Sequence, residues 1–267
     1  MLNADGVSFR YDDTEVLHDI SFGVSAGGLT GVLGPNGSGK TTLLRLLGGL
    51  VAPSQGRVRL DERDLATSSR QSLAKRIALV PQETHVAFDY SVLEVVLMGR
   101  YPHLGAFAIE GADDLDYAAD ALASTGTTGL RSRPFTTLSG GEKQRVVIAS
   151  ALTQLAGTAG GDDLTQVLLL DEPTASLDLA FQLETARLVR KLNREGVTIV
   201  VSTHDLKFAA SICRDLVLLR DGRIIAAGAI EDVLTEANVL ALYGVTAQVT
   251  YSPAAGHMLV VPIGRDQ

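Results

Sequence analysis

The 267 residues carry 23 Lys and Arg against 31 Asp and Glu, a formal net charge of −8 with a pI near 5.1, and 46% of them are hydrophobic. That balance describes a folded globular chain rather than a disordered one, and with no cluster of basic residues it argues against nucleic acid as a partner. No apolar stretch reaches the roughly 18–20 residues that span a bilayer, and the N-terminus lacks a basic-then-apolar leader, so a soluble chain that stays where it is made is expected. The single cysteine, Cys213, can form no internal disulfide; its apolar helical surroundings predict a buried core thiol.

The first 30 residues alternate around polar turns (Val7, Phe9, Tyr11, then Val16, Leu17, Ile20, Phe22, Val24), which predicts antiparallel strands. Leu29–Leu33 reads as a short apolar strand, and Gly39 through Leu47 as a helix stopping near Gly48-Gly49. Arg57–Leu60 and Arg76–Val80 read as two further strands. Residues 83–156 then change to helical character. Ser91–Met98 is a candidate helix, and Asp113 a candidate cap for a second, in which Leu115, Ala118, Ala119 and Leu122 share a face. Gly99–Gly111 between them reads as a loop with Tyr101, Pro102, His103 and Phe107 near the surface. A third helix is expected over Gly141–Leu155.

Residues 156–165 make a polar, glycine-rich loop. Val167–Leu170 is an unbroken apolar run, the pattern of a strand buried on both faces of a parallel sheet. Helix Leu179–Glu195 closed by Gly196, strand Val197–Ser202, helix Leu206–Cys213 and strand Leu216–Arg220 complete an alternating β/α core. From Glu231 one helix and two strand-like pieces, Gln248–Tyr251 and His257–Pro262, are expected.

Chemistry concentrates in a few places. Gly34-Pro35-Asn36-Gly37-Ser38-Gly39-Lys40-Thr41, followed by Thr42, has the form G-x-x-x-x-G-K-[ST] between a strand and a helix. Gly34, Gly37 and Gly39 permit positive φ and close backbone approach, so that N–H groups can point at phosphate oxygens. Lys40 would neutralise β/γ charge and the Thr41 hydroxyl would hold Mg²⁺. Asp171 and Glu172 end the most hydrophobic strand, at the sheet edge where open α/β folds bind ligands. Asp171 can orient Mg²⁺ through its water shell, and Glu172 can take a proton from an attacking water. His204 follows a neighbouring strand and is a candidate donor to a transferring γ-phosphate. His18, His85, His103 and His257 have no such context and read as surface or core residues. Leu138-Ser139-Gly140-Gly141-Glu142 is a polar turn opening a helix, a second place where backbone N–H groups can meet an anion.

The ordered set of Tyr11, the phosphate loop, Gln82, Leu138–Glu142, Val167–Glu172, Ser176-Leu177-Asp178 and His204 resembles the nucleotide-binding subunit of an ABC transporter over nearly the whole chain. The resemblance implies an α/β phosphate-loop NTPase fold with an N-terminal antiparallel β part and an inserted helical subdomain. Its parts would be a catalytic core of residues 1–82 and 157–230, a helical subdomain of residues 83–156, and a C-terminal piece of residues 231–267. It implies ATP and Mg²⁺ as ligands, with Tyr11 stacking on adenine and Gln82 reaching Mg²⁺ as a hinge towards the membrane subunits. Ser139, Gly140 and Gly141 would bind the γ-phosphate of ATP held by an opposite subunit, and Asp178 would line that dimer interface. The partners implied are a second ATPase subunit, a polytopic permease at the cytoplasmic face of the membrane and, indirectly, a substrate-binding protein. Two departures from the common pattern are Glu142, where many members have Gln, and the longer polar loop before Val167.

Ser91–His103, Phe181-Gln182-Leu183-Glu184 and the tail Asp232–Thr235 leading to Leu242-Tyr243-Gly244-Val245 resemble a narrower group, the ATPases of bacterial importers for ferric siderophores, heme and cobalamin, in which Glu142 is usual. An exporter ATPase, or an ABC-type ATPase acting on DNA or the ribosome, is the alternative; the single cassette, the absence of heptads and the negative charge argue against the second.

Overall fold

The computed structural model describes residues 1–84, 86, 88–105, 107–157, 165–175 and 177–265. In chain order, strands β1 (Leu2–Tyr11) and β2 (Thr14–Val24) form a hairpin. Strand β3 (Leu29–Leu33) runs through the phosphate loop into helix α1 (Lys40–Leu47). Strands β4 (Gln55–Leu60) and β5 (Arg63–Asp64), helix α2 (Arg70–Ala74) and strand β6 (Ile77–Val80) follow. The helices α3 (Val92–Leu97), α4 (Ala112–Ser124) and α5 (Gly140–Leu155) come next. The core resumes with β7 (Val167–Asp171), α6 (Leu179–Arg194), β8 (Thr198–Thr203), α7 (Leu206–Ile212), β9 (Asp215–Arg220) and β10 (Arg223–Ala229). Short α8 (Ile230–Val233), α9 (Glu236–Tyr243) and the hairpin β11 (Val245–Ser252) and β12 (His257–Arg265) complete the chain.

The main sheet has the order β10-β9-β3-β8-β7-β6, parallel except for β10. Every residue of β3, β7 and β8 is buried, which is why these segments read as continuous apolar runs rather than as alternating ones. The register fixes the site: Leu33 lies opposite Thr203, and Ser202 opposite Asp171. The phosphate loop, the residues after β8 and the acidic end of β7 therefore leave the sheet at one edge, on adjacent strands.

Each face of this sheet has its own core. One face (Val32, Leu169, Val200, Val217) packs on α1 and on the antiparallel sheet β2-β1-β4-β5. The other (Leu33, Leu168, Leu170, Val201, Leu218) packs on α5, α6 and α7 and on the C-terminal α9 and hairpin. A third cluster, around Val92, Val96, Ala118, Leu122, Phe135 and Val146, belongs to α3, α4 and α5. Cys213 is buried in the second of these cores, where burial pushes its thiol well above the usual range.

Asp113 does not cap α4. Gly111 holds that position, and its N–H donates to Asp114, whose other carboxylate oxygen accepts from Arg100 at 2.7 Å. The buried stripe of α4 is Ala118, Ala121 and Leu122, while Leu115 and Ala119 face outward, because the helix presents its small residues to α3 and α5. Part of the expected loop after Gly99 is a 3₁₀ turn over Met98–His103 that lies tight against α5; a Cβ on Gly99 would sit 2.2 Å from the Ser150 carbonyl oxygen. The tail holds two helices rather than one. His85, Ser176 and residues 158–164 of the polar loop lie outside the described residues.

Candidate active site

At that sheet edge lies a cleft of about 430 Å³ lined by Val16, Asn36, Gly37, Gly39, Lys40, Thr41, Thr42, Gln82, Glu172 and His204. Its floor is the phosphate loop. Gly37 (φ +81°) and Gly39 (φ +102°) hold left-handed conformations that side chains rarely adopt, and a Cβ on Gly39 would also meet Leu17 at 2.7 Å. Gly34 is different: its backbone is not left-handed, and it is required by space, since a Cβ there would lie 2.2 Å from the Leu219 carbonyl oxygen. The expectation of positive φ thus holds for two of the three glycines. Pro35 turns the loop, its carbonyl accepting from the Ser38 N–H at 3.2 Å. Among the described residues the buried Ser38 hydroxyl has no hydrogen-bond partner.

Lys40 opens α1 and is buried, its Nζ donating to the carbonyls of Gly34 (2.9 Å) and Pro35 (3.1 Å) and lying 3.2 Å from Glu172 Oε1. Glu172, also buried, leaves β7 with φ +47°, and its N–H donates to the Ser202 carbonyl at 3.0 Å. That turn swings its side chain away from the direction of Asp171. Glu172 Oε2 is 2.8 Å from His204 Nδ1, so one carboxylate bridges the phosphate-loop lysine and the histidine. Asp171 lies beneath, buried, and accepts from the Ser202 hydroxyl. Ser202 is thus a supporting residue that the sequence did not single out; its signal was only its place in β8 opposite Asp171.

The arrangement has definite chemical capacities. A glycine cradle with a buried lysine can hold an anion of phosphate shape. A carboxylate with a histidine beside it can accept a proton from water. For a divalent cation the cleft offers the Thr41 hydroxyl and the Gln82 amide oxygen, with Asp171 buried at the end of β7 and outside the cleft lining. These are hard oxygen donors with a single carboxylate, and among the described residues no group of three His, Cys, Asp or Glu is placed to hold a metal ion. That set suits Mg²⁺ completed by phosphate oxygens and water, not an all-protein cage.

Other expected site residues stand elsewhere. Tyr11, 41% exposed, packs edge-on against Phe9 (4.8 Å) at the tip of the β1–β2 hairpin and does not line the cleft; Val16 from the same hairpin does. Ser139 caps α5, its N–H and hydroxyl donating to Glu142 Oε2 at 2.8 and 2.9 Å. Those two bonds hold the Glu142 carboxyl below the usual range. Ser139 and Gly140 are exposed, and neither lines the cleft. Gly141 is pressed against the Phe181 ring, where a Cβ would come within 2.2 Å. Asp178 caps α6, accepting from the Phe181 N–H at 3.0 Å, beside the exposed Leu179. Arg145 on α5 pairs with Glu184 on α6 and lies over the Phe181 ring, joining the N-terminal halves of these two helices.

The sheet and its glycine cradle define a phosphate-loop nucleotide-binding fold. Residues 17–175 match the ABC transporter family, and the chain belongs to that family. It is 40% identical, over 98% of its own length, to a cobalamin import ATP-binding protein of Halobacterium salinarum, and spans 63% of that relative. It is 41% identical to a hemin import ATP-binding protein of Pseudomonas entomophila, over 98% of this chain and 99% of the relative. Among solved structures, an inward-facing ABC transporter described as metal-chelate type superposes with a TM-score of 0.82 at 31% identity, over 98% of this chain and 96% of the other.

Proposed function

We propose that this chain is the ATP-hydrolysing subunit of an importer that takes up an iron chelate, such as a ferric siderophore or heme, or cobalamin. The observation that carries the ATPase reading is the buried Glu172 carboxylate set between Lys40 and His204 in the cleft. The cargo class rests on the relatives, whose names specify cobalamin and hemin import.

In this mechanism the N–H groups of the phosphate loop and Lys40 hold the β- and γ-phosphates, and Tyr11, at the tip of the β1–β2 hairpin outside the cleft lining, would stack on the adenine. Thr41, Gln82 and Asp171 would hold Mg²⁺, which would offset negative charge on the phosphates. An arriving triphosphate competes with Glu172 for the Lys40 ammonium. The carboxylate so released is free to accept a proton from water aligned with the γ-phosphorus, while His204 donates a hydrogen bond to the transferring group.

Ser139, Gly140 and Asp178 are exposed, and none of them lines the cleft. This supports a homodimer in which each subunit's α5 N-terminus, with Ser139, Gly140, Gly141 and Glu142, completes the other's site. The exposed Leu179 and Leu183 near Asp178 suit such an interface. The membrane partner would be a polytopic permease. An apolar groove of about 460 Å³, lined in part by Leu50, Leu73, Leu79, Met98, Tyr101 and Pro102, lies beside Pro81-Gln82 and is the proposed seat of a permease loop. Among the described residues no helix is long and apolar enough to cross a membrane, which fits a peripheral subunit at the cytoplasmic face.

Purification of the tagged chain from native membranes, with its companions identified by mass spectrometry, tests this reading. A polytopic permease that co-purifies, together with a substrate-binding protein, is expected. Ribosomal or DNA-repair partners without a membrane protein would overturn the transport reading.

A further inference from the structure

The backbone of His204 is tied down from a direction the catalytic residues do not explain. The residue sits between β8 and α7, in neither element. On its C-terminal side Asp205 is fixed: its N–H donates to Thr203 Oγ1 at 3.0 Å, and its carboxylate caps α7 through the N–H groups of Lys207 and Phe208. The His204 carbonyl lies outside the α7 ladder. It accepts instead from the Tyr243 hydroxyl at 3.1 Å, the last residue of α9, 39 positions further along the chain.

Tyr243 is itself held in place. Its ring packs on the same core as Phe208, Ala209 and Ile212 of α7, Val239 and Leu242 of α9, and Ala247 and Val260 of the hairpin. Gly244, in a left-handed conformation, ends α9 immediately after it. Burial, together with the nearby charges of Glu172 and Asp205, pushes the Tyr243 phenol well above its ordinary range, so that the group remains a donor at any physiological pH. The hydroxyl is therefore a fixed donor aimed at one carbonyl, and that carbonyl belongs to the residue that touches Glu172.

We infer that Tyr243 is a positioning residue for His204, and that α9 with the β11–β12 hairpin serves as a brace that sets the histidine's place over the cleft. The inference rests on the role given to His204 above. Without the tether the peptide between His204 and Asp205 is held only through the Asp205 N–H on Thr203 Oγ1, so its carbonyl side can tilt and the imidazole loses its alignment to Glu172 while the phosphate loop is untouched. The tether thus bears on turnover and not on nucleotide binding.

The test is a double-mutant cycle on the full-length chain with Tyr243→Phe, His204→Ala and the pair, following ATP hydrolysis and the imidazole resonances by NMR. Tyr243→Phe keeps the ring and removes only the donor. It is expected to lower kcat about three- to ten-fold with the KM for ATP unchanged, the scale of one hydrogen bond. In the His204→Ala background the same substitution should have no further effect, and Tyr243→Phe should shift the His204 resonance, assigned by its loss in His204→Ala. Wild-type kcat in Tyr243→Phe, an equal loss in both backgrounds, or an unmoved His204 resonance would each overturn the inference. The resonance reports on the tether whether or not the chain turns over ATP, so a shifted signal in a chain without hydrolysis removes only the ATPase reading.

Discussion

Glu172 and Lys40 form a buried ion pair, 3.2 Å between Oε1 and Nζ, in which the proposed general base and the proposed phosphate-binding lysine hold each other. Each satisfies the other's charge where water is scarce, so neither is stranded before nucleotide arrives. Replacing the carboxylate by an amide removes the proton acceptor and weakens that hold. Glu172→Gln is expected to bind ATP at least as tightly as the wild type while turning over at least ~100-fold more slowly, which calorimetry and steady-state hydrolysis will measure. Turnover near the wild-type rate would remove Glu172 from the role.

Gly37 faces open space, with no heavy atom within 4 Å of where a Cβ would sit, so an added methyl meets no wall there. Its cost is conformational, because φ is +81°. Gly37→Ala should therefore strain the loop by about 1–2 kcal/mol, lowering the thermal unfolding midpoint by only a few degrees, and weaken ATP binding several-fold. A large fall in stability with intact ATP affinity would contradict this.

The proposed interface can be separated from the cleft. Leu179, 71% exposed, follows the Asp178 cap and contributes nothing to the cleft lining. In the Glu172→Gln background, Leu179→Asp should abolish ATP-dependent dimerisation measured by light scattering, because it places a charge in a surface meant to be buried. The affinity of the monomer for ATP should stay the same. Dimerisation that survives the substitution would move the interface elsewhere.

Asp61 is held by Arg76 and Thr165, just before β6 and β7, at the end of these strands away from the cleft. Burial opposes ionisation of Asp61, yet hydrogen bonds from the Met1 ammonium, Thr165 and Arg76 outweigh it and hold the carboxyl well below the usual range. A carboxyl depressed in the folded state contributes stability above the unfolded value, near ~3.9, and that contribution fades as pH falls towards the folded value. Asp61→Asn should cost about 1–2 kcal/mol at pH 7, with the deficit narrowing below about pH 4. Denaturant titrations at pH 7 and pH 3.5 measure both; a deficit independent of pH would show that the charge is not the cause.

The parts of the fold visible in the sequence are those where local pattern and tertiary need coincide. Val167–Leu170 is apolar throughout because β7 is buried on both faces, and the Gly37 and Gly39 positions announce themselves because their backbone needs glycine. The phase of α4 was not visible. Its Leu115 completes a plausible helical stripe yet lies outside, since the neighbouring α3 and α5 leave room only for the alanines and Leu122. Strand β10 was missed for a related reason: as an antiparallel edge it alternates between half-buried and exposed residues, with Ala and Gly among them, and carries little apolar signal. In the site, Lys40, Glu172 and His204 were legible by type and position, but their contact through one carboxylate was not. Ser202 carried no signal of its own, and Tyr243, quoted only within the tail motif Leu242–Val245, could not be tied to His204, because each acts through a partner far away in sequence.

The seating of Phe181 on Gly141 has a mechanical meaning. With no room for even one carbon between them, and with Arg145 clamped to Glu184 a turn further on, the opening turns of α5 and α6 behave as one stiff lever. In the proposed dimer a displacement of the α5 N-terminus would be passed through the Gly141–Phe181 contact towards Asp178. Each subunit would then register at its own Asp178 the contact proposed for its Ser139 with the nucleotide of the other subunit.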